Sequence, residues 1–325
     1  MPQVLVPQFV HEPGPTILRQ AAEVVYWDED RPPPRDRLEQ AIAGADGLLC
    51  QSNCRVDAAL LERAGRLRVV SNVAAGYDNI DLAAATARRI AVCNTPVPAL
   101  HETTADLTFA LILAVARRLG EAERYIRAGR WTHWSPQLLV GADVYGRTLG
   151  IVGLGRIGQA VARRARGFGM NILYTGRGRR QTAERELGAT FVRLDDLLRR
   201  SDFVSLHVPA TAETRHMIGR PQLELMAGSA YLINAARGAL VDQAALYEAL
   251  RGGLIAGAGL DVFDPEPVAA DEPLLTLENV VAVPHVGGAS LPTRERMAET
   301  AARNALAVLA GREPPSCVNP EVLPG

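Results

Sequence analysis

Cysteine is scarce in this chain of 325 residues, which carries only Cys50, Cys54, Cys93 and Cys317. Cys50 and Cys54 stand four apart, but no histidine or second cysteine pair follows at zinc-site spacing. The expectation is buried or half-buried free thiols and no metal. An excess of charge of either sign is also missing: the formal net charge is -1. That balance removes the electrostatic case for nucleic acid or an anionic membrane as partner. Long apolar runs are absent too. The most apolar stretch, Leu107–Ala116, is too short to span a bilayer and reads as a buried helix. The start, Met-Pro-Gln-Val-Leu-Val-Pro, has no basic segment ahead of an apolar core, so no signal peptide is read there. There is no solenoid-length repeat and no low-complexity tract. Together these absences favour the cytoplasm.

Hydrophobic residues make up 48% of the chain and charged residues 22%, enough apolar material for sizeable cores, and the length suggests two domains. Short apolar runs alternate with helix-like stretches. The first series of strand-like runs is Val4–Pro7, Glu23–Tyr26, Gly47–Cys50, Arg68–Asn72 and Ile90–Cys93, with helix candidates Arg35–Ala43, Asp57–Ala64 and Asp81–Arg89 between them. Glu102–Leu119 reads as a long buried helix crossing between lobes. A second series follows: Thr148–Val152, Asn171–Tyr174, Phe203–Leu206, Ala230–Asn234, Ile255–Leu260 and Val280–Val283. This βαβ rhythm predicts an α/β protein of two doubly wound parallel-sheet domains. A last amphipathic helix, Thr293–Leu309, has no strand after it in the second series. Its return to the first lobe would make that lobe discontinuous, with residues 1–99 plus 291–325 as one domain and 100–290 as the other.

Thr148-Leu-Gly-Ile-Val-Gly153-Leu154-Gly155-Arg156-Ile157-Gly158 runs from a strand through a glycine-rich turn into a helix. In that context Gly-x-Gly-x-x-Gly is a dinucleotide fingerprint. Gly153 permits the tight turn, Gly155 lets the backbone approach a pyrophosphate, and Gly158 lets helix and strand pack closely. The helix N-terminus offers free N–H groups and a positive dipole end. An NAD-binding chain places Asp or Glu at the end of the next strand. Here that position reads Tyr174-Thr175-Gly176-Arg177-Gly178-Arg179-Arg180, with no carboxylate. Guanidinium groups pair with a 2′-phosphate, so NADP(H) is expected, led by Arg177, with NAD(H) left open.

Three further motifs fall at strand C-terminal ends: Ile233-Asn234-Ala235-Ala236-Arg237-Gly238, Gly259-Leu260-Asp261-Val262-Phe263-Asp264-Pro265-Glu266-Pro267, and Val283-Pro284-His285-Val286-Gly287-Gly288. Reduction of a 2-keto acid needs a fixed cation for the carboxylate, a proton donor, and a hydride donor over one face of the carbonyl. Arg237 suits the first task and His285 the second. Glu266 bonded to the other ring nitrogen would orient His285 and favour its charged form.

On these motifs the chain resembles the D-isomer-specific 2-hydroxyacid dehydrogenases over essentially its whole length. Ala74-Ala-Gly-Tyr-Asp-Asn-Ile-Asp81, Trp131-Thr-His-Trp-Ser-Pro136, Tyr174–Arg177 and Cys317-Val-Asn-Pro320 resemble most the glyoxylate/hydroxypyruvate reductases and their 2-ketogluconate-reducing relatives. The resemblance implies Arg237, Glu266 and His285 as catalytic residues. It implies that backbone N–H groups near Ala75 and Gly76 hold the substrate carboxylate beside Arg237. Thr104, Val208, Pro209, Ala235, Ala236, Asp261 and Gly287 would line the cofactor site with the Gly153–Gly158 turn. It further implies a flavodoxin-like substrate domain, a Rossmann coenzyme domain, and a homodimer in which Trp131 or Trp134 reaches toward the partner's site. Two positions depart from many relatives. Ala75 replaces a larger apolar residue, and Gly176 replaces Ser or Asp. Reduction of glyoxylate and hydroxypyruvate is the leading expectation. Reduction of 2-ketogluconate, oxidation of 3-phosphoglycerate, and a cofactor-sensing, corepressor-like binding role are the alternatives.

Overall fold

Parallel strands, each followed by a helix, recur throughout the computed structural model, which describes residues 1–323. The chain divides into two units, one formed by Met1–Leu100 with the chain from Ala289 on, the other by His101–Gly288.

The first unit runs β1 (Gln3–Val6), α1 (Gly14–Arg19), β2 (Glu23–Tyr26), α2 (Arg35–Ile42), β3 (Gly47–Cys50), α3 (Ala58–Arg63), β4 (Val69–Asn72), α4 (Leu82–Ala87) and β5 (Ala91–Cys93). Its five strands are all parallel in the order β2-β1-β3-β4-β5, the flavodoxin-like arrangement. β3 and β4 are buried along their whole length, as strands covered on both faces must be. Two of its helices, α3 and α4, start on side-chain caps: Asp57 accepts from the Leu60 N–H and Asp81 from the Ala84 N–H.

The second unit begins within α5 (Pro98–Ala116) and continues through α6 (Leu119–Arg127), β6 (Thr148–Val152), α7 (Arg156–Gly167), β7 (Asn171–Thr175), α8 (Gln181–Leu187), β8 (Ala189–Phe191), α9 (Leu194–Arg200) and β9 (Phe203–Leu206). α10 (Arg220–Leu223), β10 (Tyr231–Asn234), α11 (Gln243–Arg251), β11 (Gly257–Leu260) and β12 (Val280–Ala282) complete it. Its sheet is again all parallel, in the order β12-β11-β10-β9-β6-β7-β8. The strand order therefore reverses between β6 and β9, the kind of point where open α/β sheets bind ligands.

By length and composition alone α5 could cross a membrane. In this unit it is a core helix: Ala105, Phe109, Leu111, Ile112 and Val115 are buried in one cluster with β6 residues. β11 is built to receive it. A Cβ on Gly257 would lie 2.9 Å from Val115 Cγ2, and one on Gly259 would lie 3.0 Å from Leu111 Cβ. The helix stops earlier than its composition suggests. The Ala142 N–H caps the Ala116 carbonyl at 2.8 Å, and Arg118 turns into the left-handed region. α6 then starts as a separate helix, an element that the apolar pattern did not announce.

After the second unit comes α12 (Leu291–Leu309), which packs on α1, β3, β4 and β5 of the first. Met297, Ala298, Ala301, Ala302, Ala305 and Val308 are its buried stripe. Ser71 Oγ in β4 donates to the Ala301 carbonyl at 2.8 Å, and Gly14 in α1 lies tight against Ala298.

Candidate active site

At the end of β6 the chain turns at Gly153, whose φ of +100° excludes ordinary side chains. A Cβ there would also lie 2.5 Å from the His207 carbonyl oxygen and 2.8 Å from Val208 Cγ1, so the β6 turn and the loop after β9 touch. Gly158 is equally confined, since its Cβ would strike the Gly153 carbonyl oxygen. Gly155 differs: a Cβ there would meet nothing within 4 Å. It therefore serves neither packing nor a strained dihedral, and the open space beside it suits a ligand that approaches the backbone. α7 begins at once with Arg156 and Ile157, and no side chain caps it. Its first N–H groups remain for an anion. Leu154 is buried and its carbonyl accepts from Gln159 Nε2 at 3.2 Å. These residues fit the pyrophosphate of a dinucleotide.

Beyond β7 the three arginines part company. The Tyr174 hydroxyl donates to Glu184 Oε1 at 2.5 Å and accepts the Arg180 N–H at 2.7 Å. Arg179 forms an ion pair with Glu184 at 2.6 Å. The Arg179 and Tyr174 hydrogen bonds hold the Glu184 carboxyl down to about 2. Arg179 is thus committed to Glu184 of the helix that follows, α8. Among the described residues the guanidinium groups of Arg177 and Arg180 have no carboxylate partner, and Gly176 leaves the space beside them open.

The loop after β10 is shaped by buried Asn234, whose Nδ2 donates to the Arg237 carbonyl at 2.8 Å and whose Oδ1 accepts the Ala236 N–H at 3.1 Å. This side-chain turn presents Arg237, with its Nη1 on the Ala236 carbonyl at 2.7 Å. Gly238 follows because nothing larger fits. Its Cβ would fall on the carbonyl of Phe263, and would lie 2.6 Å from the Asp264 nitrogen. The Arg237 loop and the loop after β11 are thus in backbone contact.

On that second loop the Phe263 N–H donates to Glu266 Oε1 at 2.9 Å. Glu266 Oε2 lies 2.7 Å from His285 Nδ1, with the two side chains 35% and 44% exposed. Burial works to raise the Glu266 carboxyl. The hydrogen bonds from His285 and Phe263 and the charges of His285 and Arg237 outweigh it, so the group sits below the ordinary carboxylate range. His285 has a left-handed backbone, φ +52°, unusual outside glycine. Asp261 fixes that turn: its carbonyl accepts the His285 N–H at 2.8 Å, and its buried carboxylate accepts the Val286 and Gly287 N–H groups at 2.6 and 2.9 Å. Burial raises the Asp261 carboxyl, against those N–H bonds.

Arg237, Glu266 and His285 are therefore grouped on three adjacent strand ends of one sheet. Thr104 on α5 stands near Gly287, whose Cβ would lie 3.4 Å from Thr104 Cγ2. Val208 and Pro209 follow β9, and Ala235 and Ala236 follow β10. Ala75 and Gly76 belong to the first unit, in the loop after β4. There Asn94 Nδ2 holds the Ala75 carbonyl at 2.7 Å and Asn72 Nδ2 the Gly76 carbonyl at 2.9 Å. Both carbonyls are occupied, and the loop is held from behind. Trp131 and Trp134 lie in an irregular stretch after α6 and are 56% and 77% exposed. Among the described residues no group of three or more His, Cys, Asp or Glu is placed to hold a metal.

Sequence reasoning missed the holders: Asn234, Gly238 and the Phe263 N–H. An asparagine closing a strand is a turn signal that pointed to the first. No local signal marks the other two, which depend on two loops meeting.

The model for "D-isomer specific 2-hydroxyacid dehydrogenase, NAD binding domain" matches residues 109–287. Over 323 residues, 99% of this chain and 97% of the relative, the chain is 52% identical to the glyoxylate reductase of Korarchaeum cryptofilum. A crystal structure of a protein from Thermus thermophilus superposes with a TM-score of 0.91 at 47% identity, covering 97% of this chain and 99% of that one. The NADPH-dependent glyoxylate/hydroxypyruvate reductase of Sinorhizobium meliloti, in complex with NADP and malonate, superposes with a TM-score of 0.82 at 34% identity, covering 98% and 96%.

Proposed function

Because this chain belongs to the D-isomer specific 2-hydroxyacid dehydrogenase family, we propose that it reduces glyoxylate to glycolate and hydroxypyruvate to D-glycerate with NADPH as the preferred cofactor. The observation that carries the reading is the Glu266–His285 hydrogen bond of 2.7 Å beside the Arg237 loop. Arg237 binds the substrate carboxylate and polarises the ketone. Its main chain is fixed by Asn234 and Gly238, so the cation is in place before substrate arrives. Glu266 takes His285 Nδ1, which leaves Nε2 as the position that delivers a proton to the carbonyl oxygen. A bound nicotinamide would supply the hydride. The Gly153–Gly158 turn and the first N–H groups of α7 would hold the pyrophosphate of the dinucleotide, and Thr104, Val208, Pro209, Ala235, Ala236, Asp261 and Gly287 would line the remainder. Ala75 and Gly76 offer backbone N–H groups to the substrate carboxylate.

The NADPH preference rests on Arg177, with Arg180 as the second unpartnered cation and Gly176 in place of a carboxylate. A homodimer is supported by the apolar side chains that α6 and the following stretch leave exposed, Leu119, Ile126, Trp131, Trp134 and Val140 among them.

Steady-state kinetics with glyoxylate, hydroxypyruvate and 2-ketogluconate, each with NADPH and NADH, test the proposal. The expected result is turnover of the first two with higher kcat/KM for NADPH, and a loss of about tenfold or more of that preference in Arg177→Ser. Equal efficiency with NADH sinks the cofactor assignment. No turnover of any 2-keto acid sinks the enzymatic one.

A further inference from the structure

All four cysteines fall in the first unit, and they fall as two contacting pairs, Cys50 with Cys54 and Cys93 with Cys317. The pairs have different surroundings. Cys50 and Cys54 are both buried inside one apolar cluster. Cys93 is buried at the end of the edge strand β5, whereas Cys317, on the tail beyond α12, is half-exposed.

The tail runs antiparallel along β5. Ser316 Oγ donates to Asn94 Oδ1 at 2.6 Å, and the Val318 N–H donates to the Val92 carbonyl at 2.7 Å. Asn319 completes the ladder, its Oδ1 accepting the Val92 N–H at 2.7 Å and its Nδ2 donating to the Ile90 carbonyl at 3.0 Å. With 316 facing 94 and 318 facing 92, Cys317 stands directly opposite Cys93. A single backbone bond joins Val318 to Val92, with the Asn319 side chain taking the Val92 N–H in place of a second backbone acceptor. Residues facing each other across antiparallel segments have Cα atoms about 4.5–5.5 Å apart, inside the roughly 4.4–6.8 Å that a disulfide spans. The two thiols influence each other and share one apolar cluster, and the Cys317 thiol donates to Asn319 Oδ1 at 3.6 Å.

We propose that Cys93 and Cys317 form a disulfide by exchange with a low-molecular-weight disulfide, fastening the tail to the sheet edge of the first unit. Cys317 is the entry point because solvent reaches it. The Cys93 contact, against burial, draws its thiol down to about 7, with backbone N–H groups of Asn319 and Val318 assisting, so a thiolate is available near neutrality. That thiolate attacks one sulfur of the small disulfide, whose S–S bond breaks, and a thiol leaves carrying the released proton. The Cys93 sulfur then attacks the mixed disulfide at Cys317, loses its own proton, and expels the second thiol. Two protein thiols are oxidised and one small disulfide is reduced to two thiols. The Cys50–Cys54 pair offers a solution disulfide no exposed sulfur and stays reduced.

The bond would join the segment before the second unit to the segment after it, making the first unit covalently continuous on its own. It also anchors Ser316, which holds Asn94, the residue behind the Ala75 carbonyl.

The test is incubation of the full chain with oxidised glutathione, followed by alkylation in denaturant and tryptic mass mapping. Cys93 falls on Ile90–Arg117, Cys317 on Glu313–Gly325, and Cys50 with Cys54 together on Leu38–Arg55. The expected result is a fall from four alkylatable thiols to two, and a linked Ile90–Arg117/Glu313–Gly325 peptide that Cys317→Ser abolishes. The oxidised protein should melt about 5 °C above the same protein reduced with dithiothreitol. Four free thiols after oxidation, a stable glutathione adduct on Cys317 with Cys93 still free, or a link only within Leu38–Arg55 each overturns the pairing. A linked protein that melts no higher than its reduced form overturns the fastening.

Discussion

His285 holds two constraints at once. Its ring is tied to Glu266, and its backbone sits in a left-handed conformation that costs a side chain about 1–2 kcal/mol. Asp261 meets that cost with three hydrogen bonds to the turn. The ring's task is separable from the backbone's. His285→Ala should keep the fold and lower kcat by about 10²–10⁴-fold, and near-wild-type turnover in a steady-state assay would rule out the proton-donor role. A second histidine carries a stability effect that depends on pH. His207, beside the Gly153 turn, bonds Ser205 Oγ at 2.8 Å, and desolvation by the packed loop lowers its imidazole to about 4 although its side chain is partly accessible. The unfolded chain, with an ordinary pKa near 6.5, takes up this proton first. The contribution is therefore whole above about pH 6.5 and drains away as pH falls toward 4. His207→Asn should flatten the acid-side slope of stability by about 1–3 kcal/mol between those values. Denaturant melts at pH 7 and pH 4.5 measure it, and an unchanged difference between the two would refute the assignment.

At the scale of elements, the site depends on how two loops abut. Gly238 is the contact point, and Gly238→Ala should push the Arg237 loop off Phe263. Overpacking of this kind costs about 1–3 kcal/mol, so the variant should melt lower and show a raised KM as well as a reduced kcat. A variant with normal kinetics would separate the two loops functionally. The glycine-rich turn, the three strand-end motifs and every strand but the three-residue edge strand β8 were legible because each is written in consecutive residues: an apolar run, a fixed glycine spacing, a polar cluster after a strand. α6 was not legible, because its boundary is set by Ala142 capping Ala116 across an irregular stretch. The division of labour among Arg177, Arg179 and Arg180 was hidden for the same kind of reason. Only the fold brings Glu184 and Tyr174 to Arg179 and leaves its neighbours free of a carboxylate.

For the whole molecule, the decisive element is α12. Its buried stripe covers the first sheet, and each large side chain in it, Met297 and Val308 above all, contributes about 1.5–3 kcal/mol by burial. A chain truncated after Gly288 should lose the first unit and keep the second. The measurement is hydrogen exchange with a fluorescent apolar dye: fast exchange across residues 1–100, slow exchange across 101–288, and strong dye binding. Slow exchange in both halves would show that the first sheet stands without its last helix. That helix was visible in the sequence as an amphipathic segment with no strand to follow, but its docking partners Gly14 and Ser71 lie too far from it in the chain for any local pattern to join them. The arrangement also sets an order of events during synthesis. A ribosome adding about 5–20 residues per second needs roughly 10–40 s to translate the second unit, and through that interval the newborn β3 and β4 wait with one face uncovered, which makes this protein a client for whatever chaperone shields nascent apolar sheets.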